Sequence, residues 1–419
     1  MRRYTSQPII RSLLDLDLYK LTMLQLIWRR HRNARVTFAF KNRTADVRLS
    51  EWVDLAALQD ELAAVRQLRF TEEDIAYLAS LGMFDPEFLA WLPTLRLAPI
   101  EVHIDRETRQ YRIETSGLWV ETTLWETLVL AIVNELYYRE VLMRSGMRLA
   151  DVEREGSRRL DAKIALLHER NQELARHDVR DAVQIIEFGT RRRFSGTWQQ
   201  TVTARMAQEF AGKGFLGTSN VYLAKLLGIA PKGTFAHELD MVYSGIYRDD
   251  LRGSHQHMLR DWWSEYGELL SIALTDTYTS TFFFEDFTAE QARLWRGLRQ
   301  DSGNPLTFAD AAIAFYIRCS VDPLLKAIVF SDGLTVARIL ELEAYCRGRI
   351  GRVFGWGTDL TNDLGFRALS LIMKAVMANG HGLVKLSDNL AKAQGNPQDV
   401  VLFQQTFGYQ PTINEACVY

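Results

Sequence analysis

The sequence predicts an α/β fold in two parts: an α+β region with mainly antiparallel strands over residues 1–120, then a (β/α) barrel or an open parallel sheet. Three observations predict it. Early segments alternate apolar and polar residues, as half-buried strands do. Eight later apolar runs end in small or polar residues, and most are separated by stretches long enough for a helix. The chain has 419 residues, 47% hydrophobic and 24% charged, which suits a large core and two closely packed domains.

Residues 11–32 read as a helix, with Leu14, Leu18, Leu21, Leu24 and Ile27 near helical spacing. VTFAFKNRT follows as a strand through Val36, Phe38 and Phe40, and residues 50–90 turn helical again. APIEVHIDRETRQYRIE alternates through Val102 and Ile104, with turn-forming residues before Tyr111. One long helical stretch is expected from Thr122 to about His177, with Asp151, Glu155, Arg159 and Lys163 at i, i+4 spacing. The eight strand-like units are QIIEFGTRR, GFLGTSN, KGTFAHE, SIALTDTY, GLRQDSG, AIVFSDG, RVFGWGTD and LVKLSDN. Their polar ends all fall on one side, where barrels and parallel sheets gather their chemistry.

Fifty basic side chains stand against 52 acidic ones, so nothing points to nucleic acid or an anionic membrane as partner. Cys319, Cys346 and Cys417 are too scattered for a disulfide framework or a zinc site and fit a reducing cytoplasm. The basic start has no signal-peptide core behind it, and the most apolar stretch, Thr122 to Leu136, is interrupted by Glu126, Asn134 and Glu135. A soluble cytoplasmic protein is expected.

Several loop ends carry two readings each. Gly355, Gly357 and Thr358 can cradle a phosphate through backbone N–H groups and a hydroxyl, or form a tight turn. Asp301, Ser302 and Gly303 after Arg299 can bind ribose hydroxyls and an anion, or cap the next helix; Ser331, Asp332 and Gly333 share that ambiguity. Arg191, Arg192 and Arg193 form a phosphate site or a charged surface, and Phe188 is core or a stacking platform. His237 stands out among eight histidines as a base or phosphoryl acceptor, against a hydrogen-bonded core residue. His255 and His257 lack a third metal ligand nearby, and neither GxxxxGK[ST] nor a strand-linked GxGxxG occurs.

Together DLDLYKLTM, FAFKNRT, EFGTRR, GTSNVYLAKLLG, PKGTFAHE, ALTDTY, GLRQDSGNP, VFSDG, FGWGTDLTND and LVKLSD resemble the nicotinate phosphoribosyltransferase family, in family order from about Leu14 to Lys392. The resemblance implies an irregular α/β barrel (131–389) packed on an N-terminal α+β domain (1–130), with 390–419 packing back to complete it. It further implies a homodimer with shared active sites and an ATP-coupled reaction of nicotinate with phosphoribosyl pyrophosphate through a phosphohistidine, with Mg²⁺ expected and its ligands unknown. By motif match His237 is the phosphorylated residue and Asp276 its orienting carboxylate. Phe188 and a partner subunit's Tyr19 sandwich the pyridine ring, with Arg299 beside its substituent and Asp301 on the ribose. Arg191, Ser331, Gly333, Gly357 and Thr358 surround the 5′-phosphate, and Arg43 meets pyrophosphate.

Two departures stand out: Leu390 and Ala391 replace a common Pro-Gly before Lys392, and Thr335 replaces a common acidic residue. The nearest rival is a nicotinamide enzyme of the same fold. Ser219 in GTSN argues for the acid, because an aspartate there would repel nicotinate. A catalytically silent nucleotide-binding barrel is the other alternative.

Overall fold

The structure, a computed structural model, describes residues 7–176, 178 and 181–409. Its first strands are β1 (Arg35–Asn42), β2 (Ile100–Ile104) and β3 (Tyr111–Leu118). Then come β4 (Ile185–Glu187), β5 (Phe215–Thr218), β6 (Ile272–Leu274), β7 (Gly297–Gln300), β8 (Ala327–Phe330) and β9 (Gly351–Trp356). β10 (Leu371–Ala378) and the short β11 (His381–Gly382) follow. They form an antiparallel sheet of order β11-β10-β1-β3-β2 and an all-parallel sheet of order β5-β4-β9-β8-β7-β6.

The antiparallel sheet forms because β1 and β3 bury alternate residues, with Val36, Phe38, Tyr111 and Ile113 facing the core. The hairpin between β2 and β3 turns at Asp105, whose carboxylate accepts from the N–H groups of Glu107 and Thr108. β10 adds beside β1 from late in the chain. From the sequence, residues 390–419 are expected to pack back on this domain; the late segment that adds a strand to its sheet is Leu371–Ala378, and Asn396 and Asp399 lie against Gly382 of β11. Helix Pro397–Phe407 packs through Phe403 and Phe407 on Leu251, Tyr278 and Phe282, with the Tyr278 and Phe407 rings stacked 4.0 Å apart. Residues 410–419, including Cys417, lie outside the described residues.

The parallel sheet curls into an interrupted barrel, with six laddered strands where eight units are expected. Neither KGTFAHE, whose His237 and Glu238 already open a helix, nor LVKLSDN forms a ladder in this sheet. The first fills the gap between the two open edges: Lys232 N donates to Thr218 O (2.8 Å) at the end of β5, and Thr234 Oγ1 to Ile272 O (3.4 Å) on β6. This close approach requires Gly217, at φ +130°, where a Cβ would lie 2.0 Å from Ala230 O.

The long helical stretch is two helices, Trp125–Ser145 and Leu149–Ala175, broken where Gly146 takes a left-handed conformation. The end expected near His177 falls outside the described residues. One hydrophobic core runs across both sheets and includes fully buried Trp119, Trp125, Trp262, Trp295 and Trp356. Among the described residues no helix is long and apolar enough to cross a membrane.

Candidate active site between the two sheets

A cavity of about 320 Å³ lies between the C-terminal ends of the parallel strands and one face of the antiparallel sheet. Tyr19, Arg43, Phe188, Arg191, His237, Arg299, Asp301, Ser331, Gly333, Gly357 and Thr358 all line it. Phe188 follows β4 directly, and its ring lies over Gly355 of β9, where a Cβ would come within 2.4 Å of it. Gly355 therefore makes room for the aromatic platform. The motif match assigns Tyr19 to a partner subunit; the structure places this chain's own Tyr19 here. Leu18 N donates to Ser219 O (2.7 Å), which fixes the start of helix Leu18–Arg30 against β5, and Arg191 sits 5.8 Å from the Tyr19 ring centroid.

His237 opens helix His237–Ile246 and is 3% exposed. Its Nδ1 lies 2.9 Å from Thr277 Oγ1, and that hydroxyl donates to Asp240 Oδ2 (2.7 Å). Its Nε2 faces the cavity, 2.8 Å from Lys385 Nζ and 3.0 Å from Asp301 Oδ2. Burial first, then Lys385, push its pKa down to about 4 against the pull of Asp276 and Asp301, which keeps the imidazole neutral near pH 7. The contact expected to orient the ring through Asp276 comes from Thr277 instead. Asp276 Oδ1 stands 3.7 Å from Nε2, while Oδ2 accepts from Ser302 Oγ (2.5 Å) and pairs with Lys385 (3.4 Å).

Asp301 accepts from Ser331 Oγ (2.8 Å) and pairs with Arg299 (3.5 Å). Burial works against its charge, yet Arg299 first and Lys385 with it hold its carboxyl well below the usual range. Lys392 bridges Asp332 Oδ1 (2.5 Å) and the Asp301 carbonyl (3.0 Å), and Arg43 Nη2 donates to the Lys392 carbonyl (3.1 Å).

The opposite wall is basic and rests on Glu126. This 1% exposed carboxylate pairs with Lys20 (2.7 Å), Lys374 (2.9 Å) and Arg191 (3.5 Å). Lys20 also meets Glu238, which accepts from Trp119 Nε1 (2.7 Å) and Thr123 Oγ1 (2.6 Å). Burial lowers the Lys374 pKa to about 8, against Glu126, and Arg191 and Lys385 add to the lowering.

Ser219 lies outside this cavity, in a second chamber of about 410 Å³ that shares Tyr19, Phe188, Arg191 and Arg299 with the first. Its Oγ donates to Asp17 Oδ1 (2.7 Å), a buried carboxyl raised by desolvation against Arg191. Arg193 is no phosphate ligand: it forms a buried bidentate pair with Asp15 (2.6 and 2.8 Å). His255 and His257 separate, one bonded to Asp286 and the other to Asp250. Sequence reasoning missed Asp17, Asp240, Thr277, Lys374 and Lys385, and left Lys392 open. Thr277 and Lys385 lie inside quoted motifs and Asp240 is one turn from His237, whereas nothing local marks Lys374.

The sequence matches the nicotinate phosphoribosyltransferase (NAPRTase) family over residues 183–411 and that family's N-terminal domain over residues 14–134. A crystal structure of nicotinate phosphoribosyltransferase from Porphyromonas gingivalis aligns with a TM-score of 0.85 at 33% identity, covering 96% of this chain and 100% of that one. Another from Vibrio cholerae aligns with a TM-score of 0.85 at 33% identity, covering 98% and 96%. With the family matched over both parts of the fold and over more than half of its length, this chain belongs to the nicotinate phosphoribosyltransferase family.

Proposed function

We propose that the protein joins nicotinate to phosphoribosyl pyrophosphate, giving nicotinate mononucleotide and pyrophosphate for NAD salvage in the cytoplasm, with ATP coupled through phosphorylation of His237. One observation carries the reading: an aromatic pair and a neutral, cation-flanked histidine line the same cavity. The pyridine ring sits between Tyr19 and Phe188, its carboxylate near Arg299 and its nitrogen toward the ribose. That nitrogen attacks the anomeric carbon, the bond to pyrophosphate breaks, and pyrophosphate leaves with the electron pair. Asp301 binds the ribose hydroxyls. Arg191, Ser331, Gly333, Gly357 and Thr358 hold the 5′-phosphate, while Arg43, Lys374, Lys385 and Lys392 neutralise pyrophosphate.

In the ATP step the Nε2 lone pair of His237 takes the γ-phosphoryl group, the P–O bond to ADP breaks, and water later releases phosphate. Asp276 and Asp301 fit magnesium, since they offer hard oxygen donors and Asp276 Oδ1 has no hydrogen-bond partner among the described residues. When bound there, the ion supplies positive charge to the polyphosphate. A homodimer is inferred from the family resemblance, and light scattering tests it.

The deciding experiment follows nicotinate mononucleotide formation with and without ATP, with nicotinamide as competitor. Nicotinate preference and ATP stimulation are expected, and His237→Ala abolishes both that stimulation and acid-labile phosphorylation. Persistence of both in the variant would remove His237 from this role. Equal turnover of the two pyridines by the unmodified protein would remove the acid assignment. Ser219→Asp sets a second carboxylate beside Asp17 and is expected to raise the nicotinate KM by about tenfold or more, shifting selectivity toward nicotinamide.

A further inference from the structure

The side of His237 turned away from the cavity holds a chain of two hydrogen bonds that the reaction as written does not use. Thr277 Oγ1 carries one proton and donates it to Asp240 Oδ2 (2.7 Å), so toward His237 Nδ1 (2.9 Å) it can only accept. Asp240 is 1% exposed, and its second oxygen, Oδ1, has no hydrogen-bond partner among the described residues. A carboxylate buried with so little compensation is costly where it serves packing alone. Helix geometry places Asp240 one turn after His237, on the same face. The Thr277 carbonyl also accepts from Leu386 N (2.9 Å) and Ser387 N (3.3 Å), which ties the segment bearing Lys385 to the group behind the ring. Thr277 thus holds the imidazole from the back while Lys385 meets it from the front.

We propose that Asp240 and Thr277 are positioning residues that fix the proton of His237 on Nδ1, so that the Nε2 lone pair faces the cavity as the phosphoryl acceptor. This rests on the phosphohistidine reading above and adds how the nucleophile is prepared. When Nε2 bonds to the γ-phosphorus and ADP leaves with the electron pair of the broken P–O bond, the ring becomes cationic with its proton on Nδ1. The Asp240 carboxylate lies two hydrogen bonds away to stabilise that cation. Thr277 can take the Nδ1 proton as it passes its own to Asp240.

The test combines the tautomer with the phosphorylation rate. In protein labelled with ¹⁵N-histidine, the ring spectrum of His237 is expected to show the proton on Nδ1. In Asp240→Asn the amide donates to Thr277, whose hydroxyl then donates to Nδ1, and the proton moves to Nε2. Phosphorylation of this variant by ATP is expected to fall on the order of 10²- to 10⁴-fold, the scale of a wrong-tautomer histidine. Melting temperature and nicotinate affinity stay near those of the unmodified protein. Thr277→Val produces a comparable loss and Thr277→Ser restores the rate. An Nδ1 proton retained in Asp240→Asn, an undiminished phosphorylation rate, or a serine variant no better than the valine one would overturn the proposal. If the unmodified protein accepts no phosphoryl group at all, the functional reading falls, while the ring spectrum still judges the relay.

Discussion

The two sheets furnish the cavity differently. The parallel sheet presents its groups just past strand ends: Phe188 after β4, Asp301 after β7, Ser331 after β8 and Thr358 after β9, with Asp276 after β6 buried behind the lining. The antiparallel sheet presents Lys374 from within β10 and Arg43 just beyond β1. One wall carries the histidine, carboxylates and hydroxyls. The other supplies cations, with Lys374 held by one buried carboxylate, Glu126, and Arg43 by the Lys392 carbonyl. The cavity therefore exists only where the sheets meet, and each wall has its own way of failing.

Changes to the two walls should separate stability from turnover. Glu126→Gln strips the shared partner from Lys20, Lys374 and Arg191 and is expected to cost about 3–5 kcal/mol in chemical denaturation. An unchanged unfolding midpoint would show that the basic wall does not depend on Glu126. Asp301→Ala acts on the other wall. Its expected mark is a loss in kcat/KM on the order of 10²- to 10³-fold in steady-state assays, with little change in melting temperature.

Gly355→Ala pushes a methyl group into the Phe188 ring and is expected to cost about 1–3 kcal/mol of nicotinate binding by calorimetry. The smallest effect concerns pH. With the Lys374 pKa at about 8, its charge is present below that value and lost as pH rises through it, so affinity for phosphoribosyl pyrophosphate should weaken above pH 8. Lys374→Arg stays charged and should flatten that limb; a profile identical in both proteins would rule Lys374 out of anion binding.

The parallel wall was legible because its chemistry is local: a short apolar run, then Gly, Ser or Asp, repeated. The same rule over-counted strands. KGTFAHE and LVKLSDN have the right texture, but one spans the gap between β5 and β6 and the other runs past Thr277, so neither gains a ladder. Lys374 was illegible because a lysine on an alternating strand looks the same whether it faces water or a cavity. Tyr19 bears no local mark of the cavity it lines, since the Leu18–Ser219 hydrogen bond that anchors the start of its helix joins segments far apart in the sequence.

The late arrival of β10 carries a consequence for synthesis. β1 and β3 emerge from the ribosome long before the strand that pairs on the other side of β1. At about 5–20 residues per second, that flank of β1 waits on the order of ten seconds or more for its neighbour. A nascent chain in that interval exposes an unpaired strand edge, the kind of template that holding chaperones shield. It also lacks Lys374, Lys385 and Lys392, so premature termination there would yield fragments without the lysines proposed to hold polyphosphate.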